Sequence, residues 1–238
     1  MDSGQLLEYL KVTDLHAFYG ESHILHGMDF KVNRGELVAL LGRNGVGRTT
    51  TLKSILGLVD KRSGSIMING QEVIQWPPHR IARLGVGYCP EERGIFSSLT
   101  TEENLMLPPR LTSEGVSVEE IYQMFPNLRE RRRSQGTRLS GGEQQMLAMA
   151  RILRTGARLL LLDEISEGLA PVIVQKLAEV ILHLKERGFT MVMVEQNFRF
   201  ASRLADRIYV VERGRVAMEV ATGQIEEQQQ YLEGLLSV

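Results

Sequence analysis

The stretch Gly42-Arg43-Asn44-Gly45-Val46-Gly47-Arg48-Thr49-Thr50 decides the fold of this 238-residue chain. It fits the phosphate-binding P-loop pattern, Gly-x4-Gly-Lys-Ser/Thr, except that Arg48 replaces the lysine. The apolar run 37–41 before it predicts a buried strand. Residues 50–58 after it predict a helix, because no helix breaker precedes Gly57. Strand, glycine-rich loop and helix together form the context in which backbone N–H groups converge on phosphate oxygens.

The P-loop pattern predicts a role for each residue of the loop. The residues expected to cradle nucleotide phosphates are Gly42, Arg43, Asn44, Gly45, Val46, Gly47, Arg48, Thr49 and Thr50. The Thr49 hydroxyl is also expected to bind Mg²⁺. Arg48 keeps the positive charge of the usual lysine, but a planar fork replaces a compact ammonium group. Two interpretations of Arg48 stay open: the site naturally tolerates arginine at the lysine position, or the arginine makes nucleotide hydrolysis slower.

Composition places the chain among ordinary globular proteins. It is 43% hydrophobic and 24% charged, and its formal net charge of -1 gives no electrostatic reason to expect nucleic-acid binding. Cys89 is the single cysteine, so no disulfide framework is possible and a reducing compartment is expected. Residues 1–5 show no signal-peptide pattern, and no apolar run approaches the ~18–20 residues that span a bilayer. We therefore expect any membrane role to act through a partner.

Strands and helices alternate along the chain, which predicts an α/β fold with a mainly parallel sheet and an antiparallel β region. Predicted strands cover 12–19, 24–32, 37–41, 64–70, 86–89, 159–162 and 190–194, and 208–220 predicts a hairpin. Predicted helices cover 50–58, 79–84, 143–154 and 172–187, and about the last fifteen residues. Polar residues from about 97 to 155 indicate a helical subdomain inserted into a core of 1–96 and 156–238.

Two carboxylates end the apolar run Leu159-Leu160-Leu161-Leu162-Asp163-Glu164. A buried strand that delivers Asp163 to the phosphate end of a sheet predicts an Mg²⁺ ligand. Adjacent strand residues point to opposite faces, so Glu164 takes a different role only if the chain turns there. With such a turn, Glu164 is expected to orient or deprotonate the attacking water. The alternative is a strand that ends in two solvated acids.

The string Leu139-Ser140-Gly141-Gly142-Glu143-Gln144-Gln145 predicts a second anion site, at a helix N-terminus. Ser140 is a good N-cap, and Gly141 and Gly142 allow a ligand to approach the backbone closely. The string resembles the signature of ATP-binding cassette (ABC) ATPases. Together with the P-loop and the Asp-Glu pair, this resemblance covers essentially the whole chain. It implies a P-loop NTPase fold of ABC type, ATP hydrolysis, and a signature that closes on the γ-phosphate held by another subunit.

Further site residues are implied by the same resemblance. Tyr19 lies where the family places an aromatic residue that stacks on adenine. Glu91 occupies the position of a glutamine that contacts Mg²⁺ and the attacking water, and Gln196 occupies that of the switch histidine. Residues 168–170 match the loop that contacts the other subunit. The implied ligands are ATP and Mg²⁺, and the implied assembly is a dimer of ATPase subunits.

The departures at Glu91 and Gln196 resemble one subfamily, the smaller ATPase subunit of branched-chain amino acid importers. Other matching strings are Pro77–Gly85, Leu99–Leu105, Glu167–Pro171 and Val194–Asn197. This resemblance implies a second ABC ATPase, two membrane permeases and a periplasmic solute-binding protein as partners. It also implies a peripheral location on the inner face of the bacterial inner membrane. Arg48 and Ile165 depart from the subfamily, which has Lys and Pro there.

Three alternatives to an importer ATPase stay open. An ABC ATPase of DNA repair or translation usually has tandem cassettes, long coiled-coil insertions or basic extensions, and this sequence shows none of them. A regulatory module that binds ATP without turnover is compatible with Arg48, but Glu164 argues against it. Lipopolysaccharide-export ATPases have a similar length, but are expected to carry Gln and His in place of Glu91 and Gln196.

Overall fold

The computed structural model describes residues 8–221 and 223–224, so the helix expected over about the last fifteen residues lies outside the described part. The strands are β1 Glu8–Tyr19, β2 Ser22–Asn33, β3 Leu37–Leu41, β4 Lys61–Ile68, β5 Gln71–Glu72, β6 Val86–Cys89, β7 Leu159–Asp163, β8 Thr190–Glu195, β9 Arg207–Glu212 and β10 Arg215–Ala221. The helices are α1 Arg48–Ile55, α2 Pro78–Ala82, α3 Thr101–Met106, α4 Val118–Met124, α5 Pro126–Glu130, α6 Gly141–Thr155, α7 Pro171–Glu186 and α8 Phe198–Leu204.

The strands form two sheets. The larger sheet has the order β10-β9-β3-β8-β7-β6, in which β9, β3, β8, β7 and β6 run parallel and β10 pairs antiparallel with β9. The smaller sheet has the order β2-β1-β4-β5 and is antiparallel throughout. The predicted parallel core, antiparallel region and terminal hairpin are therefore confirmed.

The parallel sheet is buried on both faces, which explains its nearly continuous apolar strands. Along β3, Leu37, Ala39 and Leu41 pack into the core that contains α6, α7 and α8. The alternate residues Val38 and Leu40 pack into a second core that contains α1 and the antiparallel sheet. The carboxyl ends of β3 and β7 lie at the same edge of the sheet, because both strands pair in parallel with β8. This edge carries the P-loop and the Asp-Glu pair.

The chain between β6 and β7 contains α3 to α6 and a short 3-10 helix at Gly136–Arg138. Three of its helices begin with reciprocal capping boxes, in which a Ser or Thr side chain and a Glu three residues later satisfy each other's backbone N–H groups. The caps are Thr100 with Glu103, Ser117 with Glu120, and Ser140 with Glu143. The helical content agrees with the sequence pattern, while the division into two subdomains remains a proposal.

Element ends differ from the sequence prediction by a few residues. Helix α1 begins at Arg48 rather than at residue 50 and ends at Ile55, and Gly57 then adopts a φ of 75°. Helix α7 ends at Glu186, and Gly188 has a φ of 77°, as expected for a glycine just beyond a helix C-terminus. In the described part of the chain, none of the helices has the length and apolar character needed to cross a membrane.

Candidate nucleotide site

The P-loop connects β3 to α1, and at two of its glycines a larger residue would require neighbouring atoms to shift. A Cβ at Gly42 would lie 2.5 Å from the Val211 carbonyl oxygen. A Cβ at Gly47 would lie 2.6 Å from Leu25, and the φ of Gly47 is 104°. At Gly45, with a φ of 81°, the Cβ position has no atom within 4 Å. The loop is therefore packed tightly against the strands at two points and is open at its tip.

Arg48 is the first residue of α1 and is only 4% exposed. Its Nη2 donates to Glu164 Oε1 at 2.7 Å and to Asn44 Oδ1 at 3.0 Å. Its Nη1 is buried without a hydrogen-bond partner in the described chain. Burial lowers the pKa of the Arg48 guanidinium, and the carboxylates of Glu164 and Glu195 oppose that shift. A buried guanidinium with one unsatisfied donor group is a candidate for binding an anion.

Asp163 is the last residue of β7 and is buried. Its Oδ1 accepts a hydrogen bond of 2.9 Å from the Thr49 hydroxyl, and its Oδ2 accepts one of 2.8 Å from the Tyr88 hydroxyl. Burial raises the pKa of Asp163, whereas the bonds from Tyr88 and Thr49 lower it. The two residues expected to bind Mg²⁺ from the P-loop and from β7 are thus in direct contact.

Glu164 lies at a turn in the chain, which is the condition under which the sequence predicts a role different from that of Asp163. Its φ is 46°, in the left-handed region, and its N–H donates to the Val194 carbonyl at 2.9 Å. The turn directs Glu164 to Arg48, while Asp163 contacts Thr49 and Tyr88. Burial and the neighbouring Glu167 raise the pKa of Glu164 well above the usual carboxyl range, against the effect of Arg48. A raised pKa suits a group that takes up a proton near neutral pH.

A cavity of about 390 Å³ lies over these residues. Its walls come from the P-loop, from the start of α1, from the loop after β6 and from the turn after β7. The lining residues are Ile24, Asn44, Gly45, Gly47, Arg48, Thr49, Thr50, Glu91, Glu164 and Glu167. Partial burial and the carboxylates of Glu167 and Glu92 raise the pKa of Glu91. The cavity therefore brings most of the predicted P-loop residues, Thr49 among them, together with Glu91 and Glu164, whereas Gly42, Arg43 and Val46 do not line it.

The other predicted residues lie outside the lining of this cavity in the described chain. Tyr19, at the end of β1, is 48% exposed, and Gln196, just after β8, is also exposed. Ser140 is the exposed N-cap of α6, and its Oγ accepts from the Glu143 N–H. A Cβ at Gly142 would lie 2.8 Å from Ile173 of α7, so this glycine also permits close packing between α6 and α7.

Sequence reasoning missed three groups of the site. Tyr88 holds Asp163, Glu167 lines the cavity beside Glu164, and Glu195 is buried among them. Glu195 accepts hydrogen bonds from the Ser166 N–H and hydroxyl, at 3.1 and 2.8 Å, and burial raises its pKa to about 7. A signal for Glu195 was present, because it ends an apolar strand in the same way as Asp163. No local signal pointed to Tyr88.

The residues present fit a nucleotide with Mg²⁺. The buried unpaired Nη1 of Arg48 and the open tip of the P-loop suit an anion. No group of three or more His, Cys, Asp or Glu residues within 8–221 and 223–224 is arranged to hold a metal ion. Mg²⁺ at such sites uses one or two protein carboxylates together with substrate phosphates and water. The oxygens of Thr49 and Asp163, which are 2.9 Å apart, match that requirement.

Comparison with known proteins agrees with this geometry. Residues 25–167 match the family model described as ABC transporter. The chain is 42% identical over 216 residues to the high-affinity branched-chain amino acid transport ATP-binding protein BraG of Pseudomonas aeruginosa, covering 90% of this chain and 91% of the relative. It is 33% identical over 229 residues to the lipopolysaccharide export system ATP-binding protein LptB of Haemophilus influenzae, covering 93% and 92%.

A solved structure of the ATP-binding subunit of an ABC transporter matches with a TM-score of 0.77 at 30% identity, covering 97% of this chain and 95% of that chain. The matched family model spans the P-loop, the signature and the Asp-Glu pair. The same residues form the site described above, apart from the signature. The chain belongs to the ABC transporter family, as an ATP-binding cassette ATPase.

Proposed function

We propose that this chain is the ATP-binding and hydrolysing subunit of an ABC importer for branched-chain amino acids or a related small polar solute. The observation that carries the proposal is that Thr49 and Glu164 line the P-loop cavity, while Asp163 accepts a hydrogen bond from Thr49. The similarity to BraG supports the transport class.

The chain's own residues would bind ATP through the P-loop. Backbone N–H groups of residues 42–50 and the N-terminus of α1 would hold the phosphates, and Tyr19 would stack on adenine. Thr49, Asp163 and Glu91 would hold Mg²⁺. When bound, Mg²⁺ neutralises the charge that develops on the phosphate oxygens. Ser140, Gly141 and Gly142 would bind the γ-phosphate in the site of a second subunit.

Hydrolysis requires a group that accepts a proton from water. Glu164 is proposed for this role, because it lines the cavity and its pKa is raised by burial. Glu91 and Gln196 would orient the attacking water. Arg48 in place of lysine would lower the rate if its planar group fits the β- and γ-phosphates less well.

Assembly follows from the separation of the signature from the cavity. Ser140 lies outside the lining of its own chain's cavity, which supports a composite site formed by two cassettes. We propose a second ABC ATPase, two membrane permeases and, indirectly, a periplasmic solute-binding protein, without nucleic acid. The proposed location is the cytoplasmic side of the inner membrane, and the permeases would contact the groove of residues 91–99 between core and helical subdomain.

Two other functions compete with this proposal. The similarity to LptB keeps export open, because it covers nearly the whole chain. Glu91 and Gln196 favour the importer subfamily over it. A regulatory cassette with little hydrolysis is compatible with Arg48, whereas the buried carboxyl group of Glu164 in the cavity favours turnover.

The experiment isolates native complexes and then compares ATPase rates. A permease of the branched-chain amino acid type in the complex supports the proposal, and a lipopolysaccharide-export permease contradicts it. The isolated chain is expected to hydrolyse ATP weakly, and the rate should rise strongly with the second ATPase and the permeases. Full-rate hydrolysis by a strict monomer would contradict the composite site.

A further inference from the structure

The contact between Arg48 and Glu164 joins two groups that the proposed reaction uses separately. Both are almost fully buried, and Nη2 of Arg48 lies 2.7 Å from Oε1 of Glu164. The same Nη2 also donates to Asn44 of the P-loop. This is a charge-assisted hydrogen bond, which is among the strongest polar contacts in proteins. One oxygen of Glu164 is therefore occupied by the P-loop cation.

The other half of the guanidinium has no such partner. Nη1 is buried and lacks a hydrogen bond in the described chain, although Arg48 lines the cavity. The P-loop position of Arg48 is the one that reaches the β- and γ-phosphates. A phosphate group would satisfy Nη1 and compete with Glu164 for the same positive charge. Bidentate binding of phosphate uses two N–H groups of one fork, so full engagement draws Nη2 away from Glu164.

We infer that Arg48 is a positioning residue that holds Glu164 inactive until nucleotide phosphate takes over the guanidinium. The inference rests on the proposed function. Binding of the polyphosphate breaks the contact between Arg48 and Glu164 and frees Oε1 to accept a proton from water. Once Arg48 turns to phosphate, Glu164 faces the nearby Glu167 and Glu195 without a compensating cation, so this repulsion opposes the exchange and the phosphate contacts must offset it.

Competition of this kind weakens nucleotide binding in a measurable way. The natural chain must break the contact before phosphate is fully bound, so part of the binding energy is used for that exchange. Replacing Glu164 by Gln leaves a neutral partner, which holds the guanidinium less tightly. ADP affinity should then rise about tenfold or more, an increase that corresponds to about 1.4 kcal/mol.

The test measures ADP binding in the presence of Mg²⁺ by calorimetry. ADP is used instead of ATP because Glu164→Gln is expected to favour a closed dimer with ATP. Glu167→Gln is the matched control: it removes the same charge from the same cavity wall. The third arm measures Arg48→Lys alone and combined with Glu164→Gln, since a compact ammonium does not present the same fork. Thermal unfolding of each variant checks that it is folded.

Three results are distinguishable. The inference is supported if Glu164→Gln raises ADP affinity about tenfold or more and Glu167→Gln raises it less than about threefold. It also requires that Glu164→Gln raises ADP affinity less when Arg48 is replaced by Lys. The inference is overturned if Glu164→Gln and Glu167→Gln raise ADP affinity equally. It is also overturned if Arg48→Lys does not change the effect of Glu164→Gln. In either case, simple removal of negative charge explains the higher affinity. Absence of ADP binding in every folded variant, the natural chain included, contradicts the proposed function itself, and the inference with it.

Discussion

Thr49 and Asp163 are joined by a hydrogen bond of 2.9 Å, although 114 residues separate them in the chain. Tyr88 engages the second oxygen of Asp163 at 2.8 Å, so the carboxylate is held from both sides. Because both contacts are directed and partly buried, the P-loop and the end of β7 keep one relative position. A site that is organised in this way before binding loses less entropy when its ligand is held.

Tyr19→Ala is expected to weaken ATP binding. Stacking of a base on an aromatic ring is worth roughly 1–3 kcal/mol, and about half of the Tyr19 surface is free to provide it. Calorimetric titration with ATP measures the loss. Tyr19→Phe keeps the ring and should keep the affinity. If Tyr19→Ala binds as tightly as the natural chain, the adenine platform lies elsewhere.

Glu164→Gln is expected to retain ATP binding while turnover falls by a factor of about 100 or more, because a general base typically contributes at least that much. The closed dimer should also accumulate with ATP, which light scattering can measure. Nucleotide affinity in the same preparation is the control for folding. Hydrolysis at the natural rate would show that another group accepts the proton.

Arg48→Lys is expected to raise the ATPase rate. Lysine restores the compact charge typical of this P-loop position and relaxes the contact with Glu164. An increase of about tenfold would correspond to about 1.4 kcal/mol of barrier. The measurement is the steady-state ATPase rate at saturating ATP, compared between Arg48→Lys and the natural chain. A lower rate than that of the natural chain would mean that the site is built around the guanidinium.

Glu195 should make the folded chain less stable as pH rises. Its pKa is about 7 in the fold, above the usual 4.5, so the folded state binds more protons than the unfolded state between these values. Stability from this group is full below about pH 4.5 and declines up to about pH 7, by as much as about 3 kcal/mol. Glu195→Gln should remove this share of the decline and leave the share that comes from Glu164, whose pKa is also raised in the fold.

Urea unfolding at pH 5 and pH 8 measures the Glu195 effect as a difference between the two proteins. Glu130→Gln, at an exposed position of α5, is the control and should keep the natural pH dependence. A decline of equal size in the natural chain and in Glu195→Gln would mean that other groups cause it.

Phe96→Ala is expected to reduce stimulation of the ATPase by permeases and to leave the basal rate of the isolated chain unchanged. The Phe96 backbone is fixed by two hydrogen bonds with buried Asn104, at 2.8 and 3.0 Å, while its side chain is half exposed. The Arg151 guanidinium lies over the Phe96 ring, 5.7 Å from its centroid, and the exposed half of this aromatic side chain on a rigid backbone suits a docking contact. Rates in reconstituted complexes test this. Leu58→Ala is the control, because Leu58 is also half exposed but lies near the end of α1, and it should retain full stimulation by the permeases. An equal loss of stimulation in both variants would contradict permease binding at the groove of residues 91–99.

Much of the fold could be predicted from the sequence because it depends on residue patterns over short stretches of the chain. The P-loop follows an apolar strand and begins a helix, and its glycines take the positive φ values at residues 45 and 47 that their residue type permits. Ser140 caps α6 because its side chain bonds to a backbone group three residues away. The turn at Glu164 was required by the two expected roles of adjacent acids, and its φ of 46° confirms it.

The sequence by itself therefore determined the order of the elements, the family and the groups available for chemistry, because these depend on residue types at short spacing. Only the tertiary structure decided which of these groups touch. Arg48 meets Glu164 across 116 residues, and Tyr88 meets Asp163 across 75. Such contacts depend on the parallel strand order, which brings the carboxyl ends of β3, β7 and β6 to the same side of the sheet. They also depend on burial, which no short pattern encodes. The pairing of the unusual arginine with the candidate catalytic carboxyl group is a property of the fold.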